Sequence, residues 1–271
     1  MASIAPDLLI ARTMEAHRLE LDVPFEIWRI DLSQAPGEIG TVTLSHAELA
    51  RADRFRQPRD ARRYLAAHTG LRHILEEYSG IPAAAQHFTR TIHGKPALTH
   101  GGGWQFNLSY AGDTALVALD IDRALGVDIE RDRHIADAEE LATLHFTAAE
   151  QAALARVLPA DRCRAFLTGW TRKEACLKAW GTGLQRAPRT VDAGLDPATT
   201  TVRAADAPPL TVGSFGLEGG LIGAWACTDG GAGNGLGFNM RRARPRPPTT
   251  FAPEYRDRTP TTSARYSRDR N

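Results

Sequence analysis

The chain has 271 residues, 42% of them hydrophobic and 24% charged, with a formal net charge of +1. That length fits one large or two modest domains, and the composition is ordinary for a soluble globular protein. The charge is uneven: residues 230–271 hold nine Arg against Glu254, Asp257 and Asp269, a net of +6, leaving residues 1–229 at −5, so that by its overall charge the folded part is not a basic nucleic-acid binder.

Ser45-His46-Ala47-Glu48 is a capping box that opens a short helix. Pro58 interrupts the pattern. A second helix is expected over 60–78, with Leu65, Leu71, Ile74, Leu75 and Tyr78 on its apolar side. Between them lie Arg51, Arg54, Arg56, Arg59, Arg62 and Arg63; a solvated cationic face and an anion platform both fit this set. Gly94-Lys95-Pro96 supplies a tight backbone and an amine, and Phe106-Asn107-Leu108-Ser109 reads as a strand ending in polar donors.

Residues 115–121 read as a strand, 122–124 as a turn and 126–130 as the returning strand of a hairpin. Thr147-Ala148-Ala149-Glu150 is another capping box, starting a helix that runs to about residue 157. A long helix is expected over 161–180, ended by Gly181 and Gly183. Strands over 212–217 and 221–227 close the folded region. Short strands mixed with long helices, without regular β-α-β alternation, indicate an α+β fold. The Gly-, Pro-, Arg- and Thr-rich stretch 230–271 has few apolar residues to bury and reads as a disordered basic tail.

Cys163, Cys176 and Cys227 form neither a metal-ligand spacing nor a disulfide framework, which fits a reducing, cytoplasmic setting. No cationic segment followed by an apolar core marks a secretion signal, and no apolar run has bilayer length, so no membrane partner is expected.

Of 33 basic residues only Lys95, Lys173 and Lys178 are lysine. A compact ammonium retained among arginines suggests positions where a planar guanidinium is a poor substitute. Alternation along a strand puts Asp128 and Glu130 on one side, about 7 Å apart, a pair that calls for solvent, a proton or a cation. A hard divalent ion such as Mg2+ takes one or two such carboxylates, but a solvated strand edge explains the pair equally well. Phe166, Trp170, Leu177 and Trp180 form the buried stripe of the long helix, and Lys173 falls inside it. Glu174 and Lys178 sit four residues apart on its flank. A site at the edge of the stripe accounts for all three, with Glu174 facing a metal, Lys178 an anion, and Lys173 fixing the carboxylate.

Arg54-Phe55-Arg56, Asp60-Ala61-Arg62-Arg63, Gly94-Lys95-Pro96, Phe106–Ser109, Gly126–Glu130 and Trp170–Lys178 stand in an order that resembles the 4′-phosphopantetheinyl transferases, of the surfactin-synthetase-activating type. The resemblance implies two similar α/β halves related by a pseudo-twofold axis, with boundaries at 1–122, 123–229 and the tail 230–271. It implies a monomer that takes phosphopantetheine from coenzyme A, bound between the halves, and delivers it to a serine of an acyl- or peptidyl-carrier protein. It also implies Mg2+ on Asp128, Glu130 and Glu174, catalytic roles for Glu174, Lys178 and Glu130, and coenzyme A contacts from Arg51, Arg63, Arg90, Thr91, Gly94, Lys95, Asn107, Ser109, Tyr110 and Lys178. The family's histidine after Asn-x-Ser is here Tyr110, a neutral donor. Two other readings of the same residues stay open: a different Mg2+-dependent phosphotransferase or nuclease, and a non-catalytic module that binds a carrier protein or coenzyme A.

Overall fold

Two four-stranded antiparallel sheets form the centre of the protein, and the computed structural model describes residues 15–33 and 40–229. The stretch 230–271 lies outside the described residues. The first sheet contains β1 (Ala16–Arg18), β2 (Glu26–Asp31), β5 (Trp104–Ala111) and β6 (Thr114–Ile121), in the order β1-β2-β6-β5. The second contains β7 (Leu125–Arg131), β8 (Thr200–Ala204), β9 (Ala207–Leu217) and β10 (Leu221–Thr228), in the order β7-β10-β9-β8. A small hairpin, β3 (Phe88–Arg90) with β4 (Pro96–Leu98), lies apart from both. The helices are α1 (His46–Ala52), α2 (Pro58–Ser79), α3 (Ala138–His145), α4 (Ala148–Ala155) and α5 (Arg162–Trp180).

Strand alternation sorts the apolar side chains into layers. Trp28, Ile30, Phe106, Val117 and Leu119 turn outward against Ala67, Leu71, Ile74 and Leu75 of α2. Ile27, Leu116 and Ala118 turn inward and meet Leu125, Val127, Ile129, Trp225 and Cys227 of the other sheet. On the far side, Ala224 and Ala226 pack with Ala175, Cys176 and Leu177 of α5. The order is therefore helix, sheet, sheet, helix. Strands buried on both faces read as continuous apolar runs, as in Ala115–Leu119. Each fully buried Val or Leu of these layers adds about 1.5–3 kcal/mol.

Both capping boxes exist: the Ser45 and Thr147 side chains accept from the Glu48 and Glu150 amides, and those glutamates reach back. Pro58 does not precede the second helix but opens it, at the first-turn position where a missing N–H costs nothing. The long helix ends at Gly181, with φ of 73°.

One expectation fails. β6 and β7 do not form a hairpin. β6 already has β2 and β5 on its two edges, so β7 crosses over and pairs with β10 instead. Asp122, at a φ of 72°, sits in the linking turn. Asp128 and Glu130 consequently stand on an edge strand of the second sheet.

The halves repeat one plan: β2-α1-α2-β5-β6 in the first, β7-α4-α5-β9-β10 in the second, with matching sheet orders β2-β6-β5 and β7-β10-β9. The likeness extends to a buried anchor. In the first half Arg72 of α2 donates to the capping glutamate Glu48 at 2.6 Å and to the carbonyls of Ala83 and Gln86. In the second half Lys173 of α5 pairs with the capping glutamate Glu150 at 2.5 Å and donates to the carbonyls of Pro188 and Val191. Each cation also lies over a phenylalanine ring, Phe88 and Phe146 respectively. Among the described residues, no helix is long and apolar enough to cross a membrane.

Candidate active site

The site begins with a glycine. A β-carbon at Gly126 would fall 2.2 Å from the Ala175 carbonyl oxygen and 2.6 Å from the Ala179 nitrogen, so only glycine lets the α5 backbone lie directly on β7. Leu125, Val127 and Ile129 point into the layer between the sheets. By alternation Gly126, Asp128 and Glu130 face the helix, and one turn of that helix presents Glu174 and Lys178.

Lys178 ties the pieces together. Its ammonium donates to Asp128 Oδ1 at 2.6 Å, Ser109 Oγ at 3.0 Å and the Val127 carbonyl at 3.3 Å. The Ser109 hydroxyl donates to the same Asp128 oxygen at 2.8 Å, and Asn107 Oδ1 accepts from the Val127 amide at 2.8 Å. Lys95, on the loop between β3 and β4, donates to the Leu125 carbonyl at 2.8 Å. Its stem lies against Gly181 at the end of α5, and burial pushes its pKa down to about 8. Side chains from the first half and from α5 thus occupy the backbone groups of the β7 edge.

Glu174 differs from its neighbours. It is half-buried, and among the described residues its carboxylate has no hydrogen bond or ion pair. Its pKa is raised, first by burial and then by the negative charges of Asp128 and Glu130, with Lys178 pulling the other way. Glu130 is held by Arg133 at 2.9 Å. The three carboxylates therefore sense one another across β7 and α5. They do not form a ready-made metal cluster among the described residues, since Asp128 is held by Lys178 and Ser109. An unpartnered carboxylate that feels two like charges is nevertheless a group that a hard cation would relieve.

Lys173 does not fix Glu174. It points about 100° around the helix from its neighbour, is fully buried, and serves Glu150 and two loop carbonyls. Burial lowers its pKa, while Glu150 opposes the shift. The capping role read for Glu150 is correct but incomplete, because one oxygen caps α4, another receives the Ala193 and Gly194 amides, and the lysine neutralises the whole.

The remaining expected residues ring the same region. Arg90 donates to the Gly94 carbonyl at 2.9 Å, and the Thr91 hydroxyl accepts from the Lys95 amide at 3.1 Å, closing a tight loop with Gly94 at a φ of 90°. Arg51 is exposed, with its guanidinium 5.6 Å from the Phe55 ring. A cavity of about 250 Å³ is lined by Phe55, Asp60, Arg63, Tyr110 and Gly112. Arg63 is bound there to Asp113 at 2.8 Å and lies 3.6 Å from Asp60. The sequence reading missed Asp113, although its Gly112-Asp113 dipeptide between two strands is a hairpin signal. No local pattern announces a partner fifty residues away.

Residues 36–121 match the family described as 4′-phosphopantetheinyl transferase, N-terminal, and residues 124–216 match the 4′-phosphopantetheinyl transferase superfamily. The chain is similar to 4′-phosphopantetheinyl transferase HetI of Nostoc sp., at 37% identity over 165 residues, covering 59% of this chain and 70% of the relative. It is similar to 4′-phosphopantetheinyl transferase psf-1 of Bacillus pumilus, at 34% over 178 residues, covering 65% and 75%. It is also similar to 4′-phosphopantetheinyl transferase AcpT of Escherichia coli, at 35% over 141 residues, covering 51% and 69%. The chain belongs to the 4′-phosphopantetheinyl transferase family. The chain is an enzyme of that class.

Proposed function

We propose that this transferase takes 4′-phosphopantetheine from coenzyme A and delivers it to a serine of an acyl- or peptidyl-carrier protein, with Mg2+ as cofactor. The two halves, 1–122 and 123–229, supply the walls of the donor cleft. The observation that carries the reading is the half-buried, unpartnered Glu174 carboxylate, raised in pKa by burial, Asp128 and Glu130, with the Lys178 ammonium beside Asp128.

Asp128, Glu130 and Glu174 would hold Mg2+, which when bound supplies charge neutralisation for a diphosphate. Lys178 binds a non-bridging oxygen of the donor, giving up its longest contact, the 3.3 Å bond to Val127, to do so. Glu174 accepts the proton of the carrier serine, directly or through a water; Glu130 is the alternative for that step. The serine oxygen forms a bond to the β-phosphorus as the bond from that phosphorus to the bridging oxygen breaks. Adenosine 3′,5′-bisphosphate leaves with the electron pair. Such a transfer depends on positioning and charge more than on covalent help. Arg90, Thr91 and Gly94 shape the nucleotide wall, and Arg51, Arg63 and Tyr110 take the phosphates. Ser109 orients Lys178, while Lys95 and Asn107 hold the two walls in register.

Intact-mass analysis of an apo carrier protein, incubated with the enzyme, coenzyme A and Mg2+, tests the proposal. A gain equal to one phosphopantetheine with matching release of the bisphosphate supports it. Hydrolysis of the donor with no carrier modification removes it.

A further inference from the structure

The cavity beside the site carries an unusual arrangement of charge. Arg63 forms its wall with only 16% of the side chain exposed, and its Nε is already committed to Asp113 at 2.8 Å. Asp60 stands 3.6 Å away on the other side. Asp113 lies in the two-residue turn joining β5 to β6, half exposed, where it also feels Arg59 and Arg131. A β-carbon at Gly112 of that turn would touch the Arg131 guanidinium at 2.9 Å, so the second half closes over the same corner. Tyr110 borders the cavity one residue after Ser109, whose hydroxyl meets Lys178. Tyr110 and Ser109 alternate across β5, the terminal strand of its sheet, so on the coenzyme A reading above, in which Arg63 and Tyr110 take a donor phosphate, that group reaches the cavity around the edge of β5. That group finds a guanidinium with a carboxylate already on it.

We propose that Asp113 is a specificity-setting positioning residue: by holding Arg63 it weakens the preference of this cavity for a donor nucleotide that carries a terminal phosphate monoester over one that lacks it. The inference rests on the coenzyme A reading above and adds a discrimination that the reading does not contain. An incoming dianion must share Arg63 with Asp113 and approach that like charge, whereas a donor ending in a hydroxyl meets neither cost. Because the Arg63–Asp113 bridge is at the surface, its effect is modest and screened by salt.

The test compares coenzyme A with 3′-dephospho-coenzyme A as donors, for the full chain and for Asp113→Asn, a change of charge at nearly constant size that an exposed turn tolerates. The ratio of the two kcat/KM values rises about three- to fivefold in Asp113→Asn at low salt, and the gain shrinks as salt is added. In Arg63→Gln the ratio falls toward one. Calorimetric affinity for adenosine 3′,5′-bisphosphate relative to AMP follows the same pattern without requiring turnover. A binding ratio that moves while no carrier is modified leaves the subsite intact and removes the transfer reading. Ratios that stay constant or fall in Asp113→Asn, in both measurements, overturn the inference.

Discussion

Gly126→Ala should damage catalysis more than its size suggests. The new methyl group would sit 2.2 Å from the Ala175 oxygen, and real β-carbons essentially never approach closer than 3.0 Å. The contact must open by at least 0.8 Å, the difference between those distances. The two nearest atoms, the Ala175 oxygen and the Ala179 nitrogen, are helix backbone, and the third, the Lys178 β-carbon at 2.9 Å, is fixed to it, so no rotamer change relieves them and α5 must move as a body. The Lys178–Asp128 bond, now 2.6 Å, would stretch beyond good hydrogen-bond length, and Glu174 would withdraw from Asp128 and Glu130. Overpacking of this kind costs about 1–3 kcal/mol, which in a domain of this size lowers Tm by about 2–4 °C per kcal/mol. A misplacement near 1 Å at a reacting centre costs about 100-fold in rate. The expected result is a folded enzyme with a slightly lower Tm and kcat reduced by about two orders of magnitude. Gly216→Ala, where a β-carbon meets nothing within 4 Å, is the matched control. Near-normal turnover in Gly126→Ala at unchanged Tm would refute the claim that close helix–strand contact builds the site.

Glu174→Gln should lose most of its carrier-modifying turnover while coenzyme A still binds measurably by calorimetry; retained turnover would exclude this carboxylate as the base. Lys173→Met leaves the buried Glu150 without its counter-charge, so thermal unfolding should report a loss of about 3–5 kcal/mol. The double variant Lys173→Met with Glu150→Gln should recover part of that loss. Lys95 releases its proton near pH 8 when folded but near 10.5 when unfolded. Between those values the unfolded chain binds more protons, so stability rises with pH in that window. Denaturant titrations at pH 7.5 and 10.5 should show this contribution, about 1–3 kcal/mol, as the difference between the parent and Lys95→Met, because the buried Cys176 and Cys227 thiols, raised in pKa, act in the opposite direction in both chains.

Much of the frame was legible because it is written locally. The capping boxes at Ser45 and Thr147, the stripe along α5 and the stop at Gly181 each occupy a few consecutive residues. The flank bearing Glu174 and Lys178 follows from helical angles alone. What failed was distant. The partner of β7 is β10, about ninety residues on, and the turn at 122–124 looks the same whether the chain folds back or crosses to another sheet. Lys173 was rightly placed in the stripe and wrongly assigned, because a buried cation needs a counter-charge and the sequence offers several. The corresponding Arg72–Glu48 pair in the first half supplies the missing clue, and it is visible only once the two halves are compared in space. The three lysines turn out to have one thing in common, each donating to backbone carbonyls, while Lys178 alone also meets an acidic residue of the site.

The occupied edge of β7 has a consequence for how the molecule can be divided. An open strand is a template on which other chains polymerise, and here its hydrogen-bonding groups are masked by Asn107 and Lys95 from across the crossover, together with Lys178. A fragment beginning near residue 123 would lose two of those three guards and bare a sticky margin. Severing the chain at its most natural seam would therefore yield a self-associating piece instead of a miniature enzyme.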